Sequence, residues 1–386
     1  VSICIHRAVK NSFMEPFDYQ PRTRVVFGAG SLERLGEIVQ SLGGRRVLVV
    51  SDPGIVGAGY AGRAAKLLQA AGVEAFIFDG IEENPTTRHV NEGVRFAAPH
   101  SIDLIVGLGG GSSMDCAKGI NFLLTNGGRM ADYWGSGKAS KPMLPFIAIP
   151  TTAGTGSEAQ SFALIADEHT HQKMACGDRK VMPAAAILDP ELTLTQPAMV
   201  TADTGVDAIS HALETWVTKR RNPVSTLFSQ AAWRLLSANF GRVLENPSDL
   251  EARAAMQLGA FYAGSAIENS MLGAAHSCAN PLTAHYNVVH GAAVGVMLPA
   301  VIRYNGPAVG TLYGDLAGSR DGAETLASRV ESLLQQAALP TRLSDYKIPE
   351  DILPKLALEA SRQWTAQFNP RPVTENDLLE IYRCAY

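Results

Sequence analysis

Asp207 and His211 stand four residues apart in Gly205-Val206-Asp207-Ala208-Ile209-Ser210-His211, and two further histidines, His276 and His290, follow downstream. A helix puts residues i and i+4 on one face with Cβ atoms about 5–6 Å apart, so Asp207 and His211 can aim at one ion. Two imidazoles from the later segments His276-Ser277-Cys278-Ala279-Asn280-Pro281 and His290-Gly291 would complete a shell of three nitrogens and one carboxylate. A divalent metal held that way, with a position left open, holds and polarises an alcohol or carbonyl oxygen. With nine histidines in 386 residues, a chance Asp–His pair is unsurprising. The conjunction with His276 and His290, flanked by small residues that let helices approach, carries the metal reading.

Two loops offer a place for a phosphorylated cofactor. Leu108-Gly109-Gly110-Gly111-Ser112-Ser113-Met114-Asp115 follows an apolar strand and opens a helix. Successive glycines let backbone N–H groups approach a pyrophosphate, and the helix N-terminus adds a field that favours anions. No Lys-Ser/Thr pair closes the loop, so it is not an NTP-binding P-loop. Pro150-Thr151-Thr152-Ala153-Gly154-Thr155-Gly156-Ser157-Glu158 is a second small, hydroxyl-rich loop after a strand. Its Thr151, Thr152 and Thr155 are expected either to bond the cofactor's phosphates and ribose or to cap a following helix, and both roles are compatible. Asp52 ends its strand, where open α/β sheets bind ligands; an acid there takes both ribose hydroxyls of NAD and repels the 2′-phosphate of NADP, although a helix N-cap is an equal alternative. Gly28-Ala29-Gly30 looks like a dinucleotide fingerprint, but Glu33 takes the third glycine position, leaving an ordinary strand–turn–helix.

The elements that must position these residues fall into two textures. Short apolar strands (Arg24–Phe27, Arg46–Val50, Val73–Phe78, Leu104–Leu108, Phe146–Pro150) alternate with helical patterns over Ser31–Leu42, Ala61–Ala71 and Val90–Ala97. That alternation predicts a parallel sheet covered on both faces. After about residue 200 the strands vanish and 3.6-residue periods take over at Ala202–Thr218, Val224–Leu244, Leu250–Asn269, Glu324–Ala337 and Pro349–Ser361. The expected fold is therefore an N-terminal Rossmann-like α/β dinucleotide-binding domain, residues 17–196, and an all-α C-terminal metal-binding domain, residues 197–386, hinged around Leu192–Thr201. Residues 1–16 read as an extension, with weak order expected over 1–13.

Bulk properties narrow the function classes. A hydrophobic share of 46 % with 18 % charged residues is that of a globular enzyme. A net charge of −4, with no basic run longer than Lys219-Arg220-Arg221, argues against nucleic acid. No apolar run reaches the roughly 20 residues that span a bilayer. Five scattered cysteines without a CxxC read as reduced thiols, and Val1–Lys10 lacks the apolar length of a signal peptide, so a cytoplasmic location is expected.

Together these motifs resemble the iron-containing (group III) alcohol dehydrogenases, over nearly the whole chain after Phe17. The resemblance rests on Phe27-Gly28-x-Gly30, Gly109-Gly110-Gly111-Ser112-x-x-Asp115, Pro150-Thr151-Thr152-Ala153-Gly154-Thr155-x-x-Glu158, Asp207-x-x-x-His211, His276 and His290-Gly291. It implies that Asp207, His211, His276 and His290 hold a divalent metal, Fe²⁺ or Zn²⁺. It also implies that the cofactor touches Asp52, Asn84, Gly110, Gly111, Ser112, Asp115, Thr151, Thr152, Phe162, Lys173 and Leu192, and that the chain forms a homodimer or larger homo-oligomer with a dehydroquinate synthase-like architecture. The sequence departs from the family at Asn280, where many members carry a further histidine near the nicotinamide. Asn neither gives nor takes a proton at neutral pH, so a proton route through water or His285 is expected instead.

The resulting expectation is reversible hydride transfer between a short alcohol or aldehyde and NAD(H), with no separate protein acid or base at the metal. Two rivals remain at this level. A lyase related to dehydroquinate synthase would need Lys or Arg near the ligands, and His276–Pro299 has none. An inactive binding protein would not need to keep all four ligands and both loops.

Overall fold

The computed structural model describes residues 17–386, residue 171 excepted, so the expectations for residues 1–16 lie outside the described residues. Strands β1 (Arg24–Phe27), β2 (Arg46–Val50), β3 (Glu74–Phe78), β4 (Leu104–Gly109), β6 (Phe146–Pro150) and β9 (Ala185–Leu188) form one parallel sheet in the order β1-β9-β6-β4-β2-β3. Helices α1 (Leu35–Ser41), α2 (Pro53–Gly57), α3 (Tyr60–Ala70), α4 (Thr87–Ala97) and α5 (Gly111–Asn126) connect them. Period-two alternation assigns the strand residues to two cores. Leu48, Val50 and Ile105 pack on one face, and Val47, Val49, Leu104 and Val106 on the other, all fully buried.

A second, three-stranded sheet has the order β5-β8-β7, with β5 at Gly135–Ser136, β7 at Phe162–Ala166 and β8 at Lys173–Gly177. Neither this sheet nor β9 was expected. The segments are short, Phe162-Ala163-Leu164-Ile165-Ala166 leaves Leu164 exposed, and β9 is held only by parallel neighbours distant in sequence.

Beyond residue 197 the chain is helical: α6 (Ala198–Val217), α7 (Pro223–Glu245), α8 (Leu250–Glu268), α9 (Ala274–Tyr286), α10 (His290–Val309), α11 (Leu312–Ala317), α12 (Gly322–Gln336), α13 (Leu353–Ser361) and α14 (Glu375–Cys384). Asn222 starts α7 by accepting the N–H groups of Val224 and Ser225, with Pro223 preset for a first helical turn. One contiguous core, including Trp216, Phe240, Met297 and Leu334, joins these helices. Predicted helix limits hold to within a few residues. Two of them, Ser31–Leu42 and Pro349–Ser361, open with a 3₁₀ turn, Ser31–Arg34 and Glu350–Ile352, before α1 and α13 begin.

The helical part is clamped onto the sheet. Gln257 of α8 donates to the Pro150 carbonyl at 3.0 Å, and Glu268 accepts from the Ser161 N–H and hydroxyl at 2.9 and 2.8 Å. Gly264 of α8 lies so close to Gly156 that a Cβ on it would sit 2.4 Å from the Gly156 carbonyl oxygen and 2.7 Å from its Cα. Backbone lies on both sides, so neither can yield. Gly264→Ala is expected to destabilise the protein by about 1–3 kcal/mol, read as a lower thermal midpoint against wild type; an unchanged midpoint would show that the two segments separate freely.

Candidate active site

Helix α6 carries Asp207, His211 and Glu214 at i, i+4 and i+7, on one stripe facing α9. His276 lies in the first turn of α9, and His290 opens α10. Asp207 Oδ1 stands 3.3 Å from His211 Nε2, 3.6 Å from His276 Nε2 and 3.9 Å from His290 Nε2. Asp207, His276 and His290 offer ligand atoms within 4.8 Å of one another, and His211 Nε2 joins them 3.1 Å from His276 Nε2. Gly291 permits this convergence: a Cβ there would sit 2.0 Å from the Asp203 carbonyl, so only glycine lets the start of α10 press against α6.

The donor set fits a divalent cation. Asp207 is 4 % exposed, and its Oδ1 has no hydrogen-bond partner among the described residues, although it faces three ring nitrogens. An orphaned buried carboxylate oxygen amid imidazole lone pairs is costly unless a cation or proton joins it. Burial pushes the Asp207 carboxyl up, but His211, His276 and His290 together outweigh it and hold the group well below the usual range. Burial dominates in keeping His211 neutral, and with Lys173 and the neighbouring rings it also lowers His290. His276 differs: burial disfavours its charge, yet Glu214 and Asp207 prevail and raise it to about 9. The rings hold a cation only through unprotonated nitrogens, so metal affinity falls as the pH is lowered.

Glu214 was not singled out from sequence, although its i+7 spacing from Asp207 was readable. Its Oε2 lies 2.6 Å from His276 Nδ1, and its Oε1 accepts the Ala275 N–H at 2.7 Å. The carboxylate thereby places the ring proton on Nδ1 and turns the Nε2 lone pair toward Asp207. Asn280, one turn after His276, donates to Gln363 at 3.1 Å. His285 pairs with Glu359 at 2.7 Å, a partner on α13 rather than in the ligand cluster.

The cofactor candidates gather at the carboxyl ends of β2, β4 and β6, three adjacent strands. Asp52 accepts the Ile55 N–H at 3.1 Å and the Ser113 hydroxyl at 3.0 Å, so the N-cap reading and a fixed position beside the glycine loop both hold. Gly109 pairs with Pro150, and Thr151 N–H donates to the Gly109 carbonyl at 2.9 Å, placing the two loops side by side. A Cβ on Gly110 would meet Thr152 at 3.4 Å, and one on Gly111 would meet Thr155 at 2.6 Å; the bare backbone leaves the cradle at the α5 N-terminus that a pyrophosphate needs. Asn84, in a left-handed conformation, donates its N–H to the Ser112 hydroxyl at 3.3 Å. Phe162 and Lys173 begin β7 and β8, and the Lys173 charge is felt at Asp115 and Asp207.

Two of the expected contacts are turned inward. Both Asp115 oxygens are engaged, accepting from the Ser157 hydroxyl at 2.6 Å and the Leu164 N–H at 3.1 Å. Leu192 is fully buried in the sheet core, where its side chain can only support the cleft floor. The threonines also cap no α-helix: Thr155 leads into a three-residue 3₁₀ turn, Ser157–Ala159, begun by Gly156. The cause is Lys118, whose fully buried ammonium donates to the Ser157 carbonyl and hydroxyl at 2.7 Å each and to the Phe162 carbonyl at 2.8 Å. Those bonds bend the chain into β7 and staple the hydroxyl-rich loop and the start of β7 to α5. Gly28-Ala29-Gly30 is likewise explained, because Asp189 accepts the Gly30 and Leu32 N–H groups at 3.1 and 3.0 Å, taking the place an anion would occupy.

Two outcomes follow from this electrostatic layout. Glu214→Gln is expected to keep the fold but weaken divalent-metal binding by roughly 10–100-fold, measured by chelator competition; unchanged affinity would leave Glu214 a packing residue. Glu158, 2 % exposed, is pushed up by burial to about 7 from an ordinary 4.5 despite Lys118. The native state therefore holds an extra proton between those values, and stability falls as pH rises through that window, by about 3 kcal/mol in all. Glu158→Gln should remove that loss, seen as a smaller drop in denaturant midpoint between pH 5 and pH 8 than in wild type.

Comparison with known proteins bears on the same residues. The family model for iron-containing alcohol dehydrogenases matches residues 21–190, and that for the C-terminal part of the Fe-containing alcohol dehydrogenase family matches residues 201–386. The chain is 35 % identical over 366 residues to alcohol dehydrogenase 4 of Schizosaccharomyces pombe, covering 93 % of this chain and 87 % of the relative. It is 34 % identical over 370 residues to NAD-dependent methanol dehydrogenase of Bacillus methanolicus, covering 93 % and 97 %. Among solved structures, a 1,3-propanediol oxidoreductase superposes with a TM-score of 0.93 at 34 % identity, covering 96 % of this chain and 100 % of the other. With both halves matched and relatives aligned along almost the full length, this chain belongs to the iron-containing alcohol dehydrogenase family.

Proposed function

We propose that this protein reversibly oxidises short-chain alcohols to aldehydes, passing hydride to and from NAD, with Fe²⁺ or Zn²⁺ held by Asp207, His211, His276 and His290. The observation that carries the reading is the buried Asp207 Oδ1, orphaned among three imidazole nitrogens. Bound there, a divalent metal supplies a Lewis acid for the substrate oxygen. Nitrogen and carboxylate ligands suit both metals, and availability decides between them.

The remaining parts of the site bind and orient. Glu214 keeps the His276 lone pair aimed into the cluster. The α5 N-terminus and the Gly109–Gly111 backbone receive the cofactor's pyrophosphate, with Thr151, Thr152 and Thr155 beside them. Asp52 favours NAD over NADP because a carboxylate at the end of β2 bonds ribose hydroxyls and repels a 2′-phosphate. The lyase reading is less well supported: no Lys or Arg occurs over His276–Pro299, and the long relatives named above are alcohol dehydrogenases.

We place the domain junction at residues 196/197, just before α6, with the substrate entering between the two domains. A homodimer or larger assembly is supported by the edge strand β1, where Val25 is 40 % and Phe27 46 % exposed. Among the described residues no helix is long and apolar enough to cross a membrane. Separately, we assign a cytoplasmic location from Cys116, Cys176, Cys278 and Cys384, each a free thiol.

The test is NADH and NADPH oxidation with short aldehydes by chelated protein reconstituted with Fe²⁺ or Zn²⁺. Turnover should require metal and favour NADH by at least about tenfold, a difference of roughly 1.4 kcal/mol, while His276→Ala should bind NADH but not turn over. Full activity after complete metal removal would overturn the proposal.

A further inference from the structure

We propose that Asn369 is a positioning residue for the metal site, a buried carboxamide that holds the three ligand-bearing helices in their relative places. The inference rests on the dehydrogenase reading above and concerns a residue outside the ligand cluster. Asn369 is 1 % exposed and lies between α13 and α14, directly after a 3₁₀ turn, Trp364–Phe368. Its side chain has two lone pairs and two amide hydrogens to satisfy, and burial makes each one left unpaired costly.

Every one of them is used. Oδ1 accepts the Ala274 N–H at 3.2 Å and an amide hydrogen of Asn305 Nδ2 at 3.1 Å. Nδ2 donates to Asn305 Oδ1 and to the Arg371 carbonyl, at 2.7 Å each. The reciprocal pair with Asn305, itself 2 % exposed, ties this segment to α10. The Ala274 N–H is one of the first-turn donors of α9 that no helical carbonyl can reach, and it lies two residues before His276. Its neighbour, the Ala275 N–H, goes to Glu214 of α6 at 2.7 Å. A Cβ on Gly273 would sit 2.9 Å from Asn369 Oδ1 and 3.1 Å from Glu214 Oε1, so the glycine admits both acceptors at the start of α9.

The same segment also closes on α6. The Phe368 carbonyl accepts the Lys219 N–H at 2.9 Å and the Thr218 hydroxyl at 3.2 Å, just past the end of α6. Thr365 Oγ1 lies 2.7 Å from Ser277 Oγ, in the residue next to His276. The stretch from Thr365 to Asn369 therefore joins the helices of Asp207 and His211, of His276, and of His290. Helix α10 is held near both ends, against Asp203 at Gly291 and against Asn369 at Asn305, which fixes its direction as well as its distance. Metal–ligand distances must hold to within about 0.2 Å, so a slight slide of α9 against α10 is enough to spoil the cluster. Without the Asn369 carboxamide, Asn305 and the Ala274 N–H lose their partner, and the helices must shift for these buried groups to find others.

The experiment measures Co²⁺ affinity by chelator competition and records the visible absorption of the Co²⁺-loaded protein, which reports ligand geometry. Asn369→Leu and Asn305→Leu should each weaken binding by about tenfold or more and shift the absorption bands. The double variant should lose less than the two single losses combined, because both remove one pair. Asn369→Ala, which leaves room for water to take up the stranded bonds, guards against a variant that fails to fold and should change affinity and spectrum in the same direction. The control is Asn121→Leu, another fully buried asparagine, which bonds the Leu144 N–H and carbonyl far from the ligands in sequence and on the sheet side. It should lower the thermal midpoint but leave Co²⁺ affinity and spectrum as in wild type. If the Asn369 variants lose thermal stability as Asn121→Leu does and still bind Co²⁺ with wild-type affinity and spectrum, Asn369 is a packing residue and the inference is overturned while the dehydrogenase reading stands. If Asp207→Ala leaves Co²⁺ binding unchanged, the metal reading itself fails and takes the inference with it.

Discussion

A carboxylate oxygen buried without a partner is a debt that folding must repay, and Asp207 Oδ1 is such an atom. Several kcal/mol are at stake for a buried ion. The repayment is organised by three helices: α6 supplies Asp207 and His211, α9 supplies His276, and α10 supplies His290. None of these side chains can be moved alone. The Asp203–Gly291 approach sets the distance between α6 and α10, and Glu214 links α6 to α9 through both the His276 ring and the Ala275 amide. Metal affinity and helix packing are therefore one property of this fold.

The sheet half is organised around a second buried charge. Lys118 lies on α5, the helix whose N-terminus forms the proposed phosphate cradle, and its ammonium holds both the hydroxyl-rich loop and the first residue of β7. Asp115 completes the network by bonding Ser157 and Leu164. Three fixed carbonyl and hydroxyl acceptors offset much of the cost of burying the lysine and give the cleft floor a single conformation. Residues that look like cofactor contacts in sequence, Asp115 above all, act one layer below the cleft.

Where the halves meet, polar groups are anchored by the opposite half: Gln257 on Pro150, Glu268 on Ser161, and the Phe162–Trp364 ring pair at the edge. The helical half is thereby pinned to the sheet half along α8 and at the Trp364 ring. Lys173 registers this geometry electrostatically, since its charge reaches both Asp115 and Asp207.

Local patterns determined a good deal. The i,i+4 pair Asp207–His211, the apolar strands, the glycine loop and the shift to helical periodicity all follow from spacing within a few residues, and the structure has each of these elements where spacing put it. What spacing could not reveal are bonds between distant segments. Asp189 fills the Gly28–Gly30 turn from 159 residues away, Glu214 meets His276 across 62, and Asn280 meets Gln363 across 83. The short strands β5, β7, β8 and β9 depend in the same way on neighbours that only the folded chain supplies. Periodicity reports which face of an element is apolar, whereas the partner of a buried polar atom is chosen by tertiary packing, because desolvation obliges each such atom to find one wherever the chain brings it.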